Sequence, residues 1–166
     1  MQLPGEPVVA VWVVEGTANR NQKIQSNLKN LNFDSIPVFT DKNVEYYDYS
    51  GNNSIPRHKI TISRHTQREL RRRVSDLYYR SFVLTVNNEP VYGGVFIPDV
   101  KGGFPPTNEY IGPIIRLPGE EDGSERIDSL FIDYESDGEI WDIRNDPRAD
   151  TIVLNTFRAL KKLRNK

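Results

Sequence analysis

The sequence predicts a single α+β domain, a two-layer sandwich in which a mostly antiparallel sheet packs against about three helices. Runs of β-branched residues alternate with segments that carry apolar residues at i, i+4 and i+7, the spacing of one-faced helices. A length of 166 residues fits one domain, and no linker long enough to divide it is visible. We expect residues 1–7 to form a flexible tether and residues 8–166 to form the domain.

The first half of the chain predicts two strand–helix pairs joined by an extended segment. A β-branched run at 8–14 has the pattern of a strand that is buried on both faces. An apolar stripe predicts a helix over 19–31, and the aromatic-rich segment 32–49 is expected to be extended. Alternation at 59–63 predicts the next strand, and a capping box that starts at Thr66 opens the second helix.

The second half predicts a β-hairpin, two more strands and a closing helix. Residues 81–86 and 91–97 flank an Asn-Asn-Glu-Pro turn and form the hairpin. A glycine and a proline interrupt the strand candidate at 110–117, so we expect it at a sheet edge or at a bulge. A further strand follows at 127–134. Asp150 then caps a last helix with an apolar stripe.

Composition excludes several classes of function. The chain has no cysteine, so it holds no disulfide, zinc-thiolate site, iron–sulfur cluster or cysteine nucleophile. Its two histidines, His58 and His65, rule out histidine-rich metal sites and leave little room for a Ser-His-Asp triad. Each is expected to be a surface or capping residue. No catalytic motif is visible, so we expect a non-enzymatic protein without cofactor or metal.

Charge is distributed unevenly, although the formal net charge is only −1. Seven basic residues and one acid lie between Arg57 and Arg73, whereas 119–142 holds ten acids and only one base. The basic stretch is either a face for phosphates or anionic lipid, or the solvent side of a helix whose other side is apolar. The second interpretation is favoured because no nucleic-acid motif accompanies the stretch. We therefore do not expect a nucleic-acid partner.

The segment from Asp133 to Gly138 begins like a calcium loop, with oxygen ligands at alternate positions and a glycine at the turn. The position that would need a bidentate glutamate is Arg144, and the preceding residues are predicted to be strand. An acidic turn is therefore the favoured interpretation. A calcium-dependent protein or a carboxylate hydrolase using Asp133 to Asp142 is kept as an alternative.

Three segments carry a likeness to a known family: TDKNVEYYDY at 40–49, the hairpin SFVLTVNNEPVYGGVF at 81–96, and DIRNDPR at 142–148. Together they resemble an uncharacterised bacterial envelope lipoprotein family, and the terminal motif is the most specific of the three. The strand–helix–hairpin core is also similar in pattern to the first periplasmic head domain of SecD. The chain departs from the family by placing Asn-Asn-Glu-Pro where the hairpin usually has Asp-Gly.

The resemblance implies an α+β fold and an envelope address, and it implies no activity. We therefore expect an exported protein, membrane-anchored in its native form, whose export signal is not in the sequence. It would act as a module that binds another envelope protein or a small ligand, and it would touch the membrane only through an N-terminal lipid anchor. The alternative is a cytosolic nucleic-acid-binding protein that uses the basic face from Arg57 to Arg73.

Five residues are candidate binding residues: Tyr92 and Phe96 on one face of a strand, and Arg144, Asp146 and Arg148 in the terminal motif. Exposed Tyr and Arg are common anchors of recognition. The structural alternative, which is favoured, places the two aromatic residues in the core. In that alternative the charges of 142–148 pair among themselves in a turn that leads into the last helix.

Overall fold

The computed structural model describes residues 6–15, 32–50, 57–99, 111–118, 129–136 and 146–165. Within these ranges nine strands form one sheet that curls into a half-barrel. The strands are β1 Val9–Val13, β2 Phe39–Thr40, β3 Val44–Ser50, β4 Arg57–Ile62, β5 Ser81–Val86, β6 Glu89–Asp99, β7 Ile111–Pro118, β8 Ser129–Ser136 and β9 Leu163–Asn165. Their order across the sheet is β2-β1-β5-β6-β7-β8-β4-β3-β9.

Two helices in the described ranges pack on the inner face of the sheet. Helix α1 is Arg64–Leu77, and helix α2 is Thr151–Ala159, which follows a 3-10 turn at Pro147–Ala149. The apolar stripes of both helices join one core cluster with the inward side chains of the strands, because the i, i+4 spacing places them on one side of each helix. Neither helix is long and apolar enough to cross a bilayer.

The predicted two-layer α+β sandwich with about three helices is wrong. The described part of the chain is mostly strand, in a single curled sheet with two helices. The helix expected over 19–31 lies outside the described residues. The physical reason is the size of the sheet: nine twisted strands curl far enough to enclose much of their own apolar face, which a flatter sheet would have to cover with helices.

A three-residue turn brings the two ends of the sheet close together. β2 lies at one edge and β3 lies next to the other, yet only residues 41–43 separate them. The buried Asp41 holds this junction. Its Oδ1 accepts hydrogen bonds from the backbone N–H groups of Val8 (2.6 Å) and Val9 (2.9 Å), and its carbonyl oxygen accepts one from Lys162 Nζ (2.5 Å). Asp41 therefore connects the start of β1 and Lys162, the residue before β9, to the turn between β2 and β3.

β7 lies inside the sheet, so its expected position at an edge is wrong. It runs parallel to β6 and antiparallel to β8. Pro113 is accommodated because pairing with β6 starts only at Ile114, so the missing N–H removes no ladder bond on that side. Gly94 permits the close approach of the two strands. A Cβ at this position would lie 2.1 Å from the carbonyl oxygen of Pro113.

The turn and the helix caps lie where the local sequence predicts them, except that α1 starts earlier than predicted. The hairpin is confirmed, and its turn is only Asn87 and Asn88, both in the left-handed conformation (φ 49° and 64°) that a two-residue loop requires. Asp150 caps α2, as predicted. Helix α1 starts before the predicted capping box, because Ser63 Oγ accepts the Thr66 N–H and makes Ser63 the cap.

Replacing Asp41 with alanine should lower the free energy of unfolding by about 1–3 kcal/mol, because two backbone N–H groups lose their acceptor. Asp41→Asn is the matched control, since an amide oxygen can still accept both bonds, and it should lose clearly less. Urea unfolding of the two variants measures the difference. Equal losses would show that the negative charge, rather than the two hydrogen bonds, stabilises the junction.

Candidate functional site

The inner face of the half-barrel encloses a group of polar side chains that we call the interior polar cluster. Strand alternation turns its members inward among apolar neighbours, and the 3-10 turn supplies the charged pair. All are buried: Arg148 is 1% exposed, His58 1% and Tyr92 0%. The cluster consists of Tyr47 (β3), His58 (β4), Tyr92 (β6), Asp146 and Arg148.

Arg148 is the largest fully buried side chain of the described residues. Its Nε and Nη2 donate to Asp146 Oδ1 (3.0 Å) and Oδ2 (2.7 Å), and Nη1 donates to the carbonyl oxygen of Ile132 in β8 (2.7 Å). The guanidinium also lies 5.5 Å from the ring centroid of Tyr134. A buried charge is tolerated only when it is paired and hydrogen-bonded, and Arg148 meets both conditions.

Asp146 also fixes the position of Arg148 by a hydrogen bond to its backbone. As the cap of the 3-10 turn it also accepts the backbone N–H of Arg148 (3.0 Å), and Pro147 supplies the fixed φ with which the turn begins. The pairing expected within the terminal motif is therefore confirmed for Asp146 and Arg148. The other charged residues of the motif, Asp142 and Arg144, lie outside the described residues.

Tyr47 and His58 form the neutral part of the cluster. The Tyr47 hydroxyl lies 2.6 Å from His58 Nδ1. Burial raises the pKa of Tyr47, and burial together with the nearby Arg148 charge lowers the pKa of His58 to about 3. The neutral imidazole and the protonated hydroxyl therefore share one hydrogen bond, in which the donor depends on the His58 tautomer. The Tyr47 ring also stacks on Phe157 of α2, with 4.7 Å between centroids.

Tyr92 is the residue of the interior polar cluster whose hydrogen-bonding capacity is not fully used. Its hydroxyl is buried without a hydrogen-bond partner, and burial raises its pKa. The nearby Tyr47 hydroxyl affects the pKa of Tyr92, but the two groups do not form a hydrogen bond. The Tyr92 ring packs edge-on against Phe82, whose ring in turn contacts Phe96. An unmade hydrogen bond of a buried hydroxyl costs about 1–3 kcal/mol, which the surrounding aromatic packing offsets.

The structure brings three of the five candidate binding residues, Tyr92, Asp146 and Arg148, into one cluster. Phe96 lies in the adjoining core, and Arg144 lies outside the described residues. The structural interpretation of Tyr92 and Phe96 as core residues is confirmed by their burial. None of the four described candidates is exposed. The expectation that exposed Tyr and Arg side chains bind a partner therefore does not apply to them. A binding role for them stays a prediction that would require the interior to open.

Sequence reasoning missed Tyr47 and His58 as members of the cluster. His58 was expected at the surface or at a cap, and this is wrong, because it occupies an inward position of β4. One signal was available: His58, Ile60 and Ile62 alternate with polar residues, which places the histidine on the apolar side of the strand. His65 lies exposed near the start of α1.

The outer surface of α1 is basic. Arg72 pairs with Glu69 at 3.4 Å, and the two side chains are 77% and 52% exposed, so this ion pair adds little stability. The stretch from Arg57 to Arg73 does not form one face, however, since Lys59 lies on the outer side of the sheet and α1 covers the inner side. The exposed arginines of the helix are called the arginine face: Arg64, Arg68, Arg71 and Arg72.

An open cleft of about 530 Å³ lies beside α1. Carboxylates outnumber cations in its wall three to one, and Ile36 supplies an exposed apolar side chain. No buried unpartnered group points to a ligand there, as far as the described residues go. The cleft is lined by Glu15, Asp34, Ser35, Ile36, Glu69 and Arg73.

The described residues give the calcium alternative no support. The Asp133 carboxylate accepts a hydrogen bond from Arg116 Nε at 3.0 Å, and a guanidinium competes with a cation for the same oxygens. Residues 137–142 lie outside the described part of the chain. Within that part, no three His, Cys, Asp or Glu side chains are grouped so that they could hold a metal ion.

Comparison of the chain with protein-family models, with curated proteins and with solved structures finds no match. The likeness to an envelope lipoprotein family therefore stays a prediction from the sequence.

Replacing Arg148 with methionine should lower the free energy of unfolding by about 3–5 kcal/mol, because the Asp146 carboxylate would be left buried without its counter-charge. The double variant Asp146→Asn/Arg148→Met removes both charges and keeps an oxygen acceptor for the turn. It should be more stable than Arg148→Met alone. Chemical denaturation of the two single variants and the double variant measures this coupling, and strictly additive losses would contradict it.

Stability should fall as the pH is lowered from about 6.5. The folded pKa of His58 is about 3, whereas an unfolded histidine titrates near 6.5. Between these values the unfolded chain binds a proton that the folded chain does not, so stability present above pH 6.5 is lost at about 1.4 kcal/mol per pH unit. Carboxylates also titrate below about pH 5, so unfolding is best compared between pH 5 and 7.

His58→Gln is expected to flatten this pH profile, because glutamine can form a hydrogen bond with Tyr47 but does not titrate. His65→Gln removes the exposed histidine and should leave the slope as it is in the unchanged chain. A slope that survives in His58→Gln would rule out His58 as its origin.

Proposed function

We propose that this chain is a non-enzymatic binding module of the cell envelope, exported and held at the membrane by an N-terminal lipid anchor in its native form. Its partner in this proposal is another protein. The observation that carries the binding part is the arginine face, a set of exposed arginine residues on a helix that packs against the core.

The distribution of reactive groups supports a binding role over catalysis. The histidine and tyrosine side chains that have shifted pKa values lie in the interior polar cluster, where His58 is neutral and both tyrosines keep their protons. Catalytic acids and bases need access to a substrate and a pKa near the working pH. The interior polar cluster offers neither, and its contacts instead join β3, β4 and β8 to the turn before α2.

The envelope part rests on the terminal motif at 142–148 and the hairpin at 81–96, which resemble the lipoprotein family. Intact mass of the native gene product, purified separately from the membrane and soluble fractions of its host, tests it directly. We expect a membrane-bound species whose N-terminal mass excess matches diacylglyceryl-type lipidation. An unmodified soluble product would overturn the anchor and leave the binding proposal to be judged on its own.

A cytosolic nucleic-acid-binding protein is the second candidate, and the arginine face is also the observation that favours it. Such binding weakens steeply with salt, with a slope close to the number of phosphates contacted. A single-stranded oligonucleotide titrated at two salt concentrations separates the candidates. A steep salt slope together with a soluble, unmodified product would support nucleic acid over an envelope partner.

A further inference from the structure

We infer that residues 146–165 form a strap that closes the half-barrel over Tyr47 and His58 and is released by acid. The strap consists of the 3-10 turn, α2 and β9. Its release would give access to the interior of the sheet, whatever the arginine face of α1 binds. Such access is what a binding role of the buried Tyr92 would require.

The strap crosses from β8, inside the sheet, to the edge beside β3. At its start, Nη1 of Arg148 donates to the carbonyl oxygen of Ile132 in β8 (2.7 Å). Helix α2 then places Phe157 on the ring of Tyr47, and β9 pairs with β3 as the edge strand. Release would therefore uncover the Tyr47 ring and the backbone edge of β3.

The strap carries its own counter-charge. The hydrogen bonds between Arg148 and Asp146 lie within three consecutive residues, so they need not break when the strap lifts. Release breaks the bond to the Ile132 carbonyl oxygen and the contact with the Tyr134 ring. The two charges then enter water as a pair, which avoids the cost of leaving one of them buried alone.

The attachments at the far end of the strap lie partly in water. Arg164 donates two hydrogen bonds to the Asp48 carboxylate (2.8 Å each), and its side chain is 41% exposed. Lys162 donates to the carbonyl oxygen of Asp41, and its own carbonyl oxygen accepts the backbone N–H of Tyr47 at 2.9 Å. Partly exposed bonds of this kind are exchanged for bonds to water at little net cost.

Helix α2 is also less deeply buried than α1. It buries two side chains, Val153 and Phe157, whereas α1 buries four. Segments with few buried apolar contacts open locally at a lower free energy than the whole domain. The strap is therefore a part of the described structure that can open while the rest of the sheet stays folded.

His58 supplies the sensitivity to acid. Burial and the Arg148 charge lower its pKa to about 3, an effect that the Asp146 charge only partly offsets. The residue of β8 opposite His58 is apolar. The titratable and charged groups that the structure describes around His58 and Arg148 are Tyr47 and Tyr49 of β3, Tyr92 of β6, Tyr134 of β8, and Asp146 of the strap.

Release removes both causes of the lowered pKa, because it exposes His58 to water and takes Arg148 away from it. The open form then binds a proton that the closed form does not. The closed form is therefore favoured above about pH 6.5, and below that pH the open population rises by up to about tenfold per pH unit.

Native-state hydrogen exchange, measured by mass spectrometry at low urea concentrations, tests whether the strap opens separately. We expect peptides from 151–165 to be less protected than peptides from β5 and β6 by about tenfold or more, and to depend less on urea. Between pH 7 and pH 5, strap protection corrected for the intrinsic exchange rate should fall by up to about tenfold per pH unit. His58→Gln should abolish this fall, and His65→Gln should retain it.

A disulfide between β3 and β9 tests whether the strap is the part that moves. The chain has no cysteine, and Asp48 and Arg164 lie opposite each other on these neighbouring strands. Neighbouring strands are about 4.8 Å apart, a separation that a disulfide can span. Oxidation of Asp48→Cys/Arg164→Cys should raise strap protection by about tenfold or more. The reduced form is the matched control, because it also lacks the ion pair but has no cross-link.

Three results would overturn the inference. Equal protection and equal urea dependence in the strap and in β5 and β6 would mean that the domain opens only as a whole. An acid-dependent loss of strap protection that survives in His58→Gln would exclude His58 as the trigger. Strap exchange that oxidation leaves unchanged would show that the strap does not lift from β3. The proposed lipid anchor is judged separately, by the intact-mass measurement.

Discussion

The buried guanidinium of Arg148 is the constraint on which the interior of this protein depends. A charge enclosed by a curled sheet must find acceptors within reach, and here Asp146 and the Ile132 carbonyl supply them. These bonds join the turn before α2 to β8. Helix α2 then brings Phe157 against Tyr47, and the chain that follows adds β9 beside β3. The last strand of the sheet is therefore placed by the same contacts that satisfy one charge.

The same charge also sets the protonation of its neighbours. Burial and the Arg148 guanidinium keep His58 neutral, so the histidine shares a hydrogen bond with Tyr47 and adds no second positive charge to the interior. The polar groups inside the sheet thus stabilise one arrangement of the strands and do not reach solvent. On the outside, α1 carries no acid in its first turn and no base in its last turn, so its charges oppose the helix dipole.

Local patterns predicted the elements well. The β-branched run of β1, the hairpin at Asn87 and Asn88, and the Asp150 cap depend on neighbours in the chain, so sequence alone was sufficient to find them. Prediction failed where distant segments meet. The proline of β7 argued for an edge, yet the pairing offset with β6 admits it inside the sheet. β9 has only three residues and gains its strand structure from β3.

The sequence by itself determined the apolar stripes of the helices and strands, and it predicted that the charges of residues 142–148 pair among themselves in a turn. Only the tertiary structure decided that nine strands curl into a half-barrel, that Asp41 joins its two ends, and that His58 lies inside. The physical reason is range. Periodicity and capping act over three or four residues, whereas sheet curvature and the environment of a buried charge depend on strands that are remote along the chain.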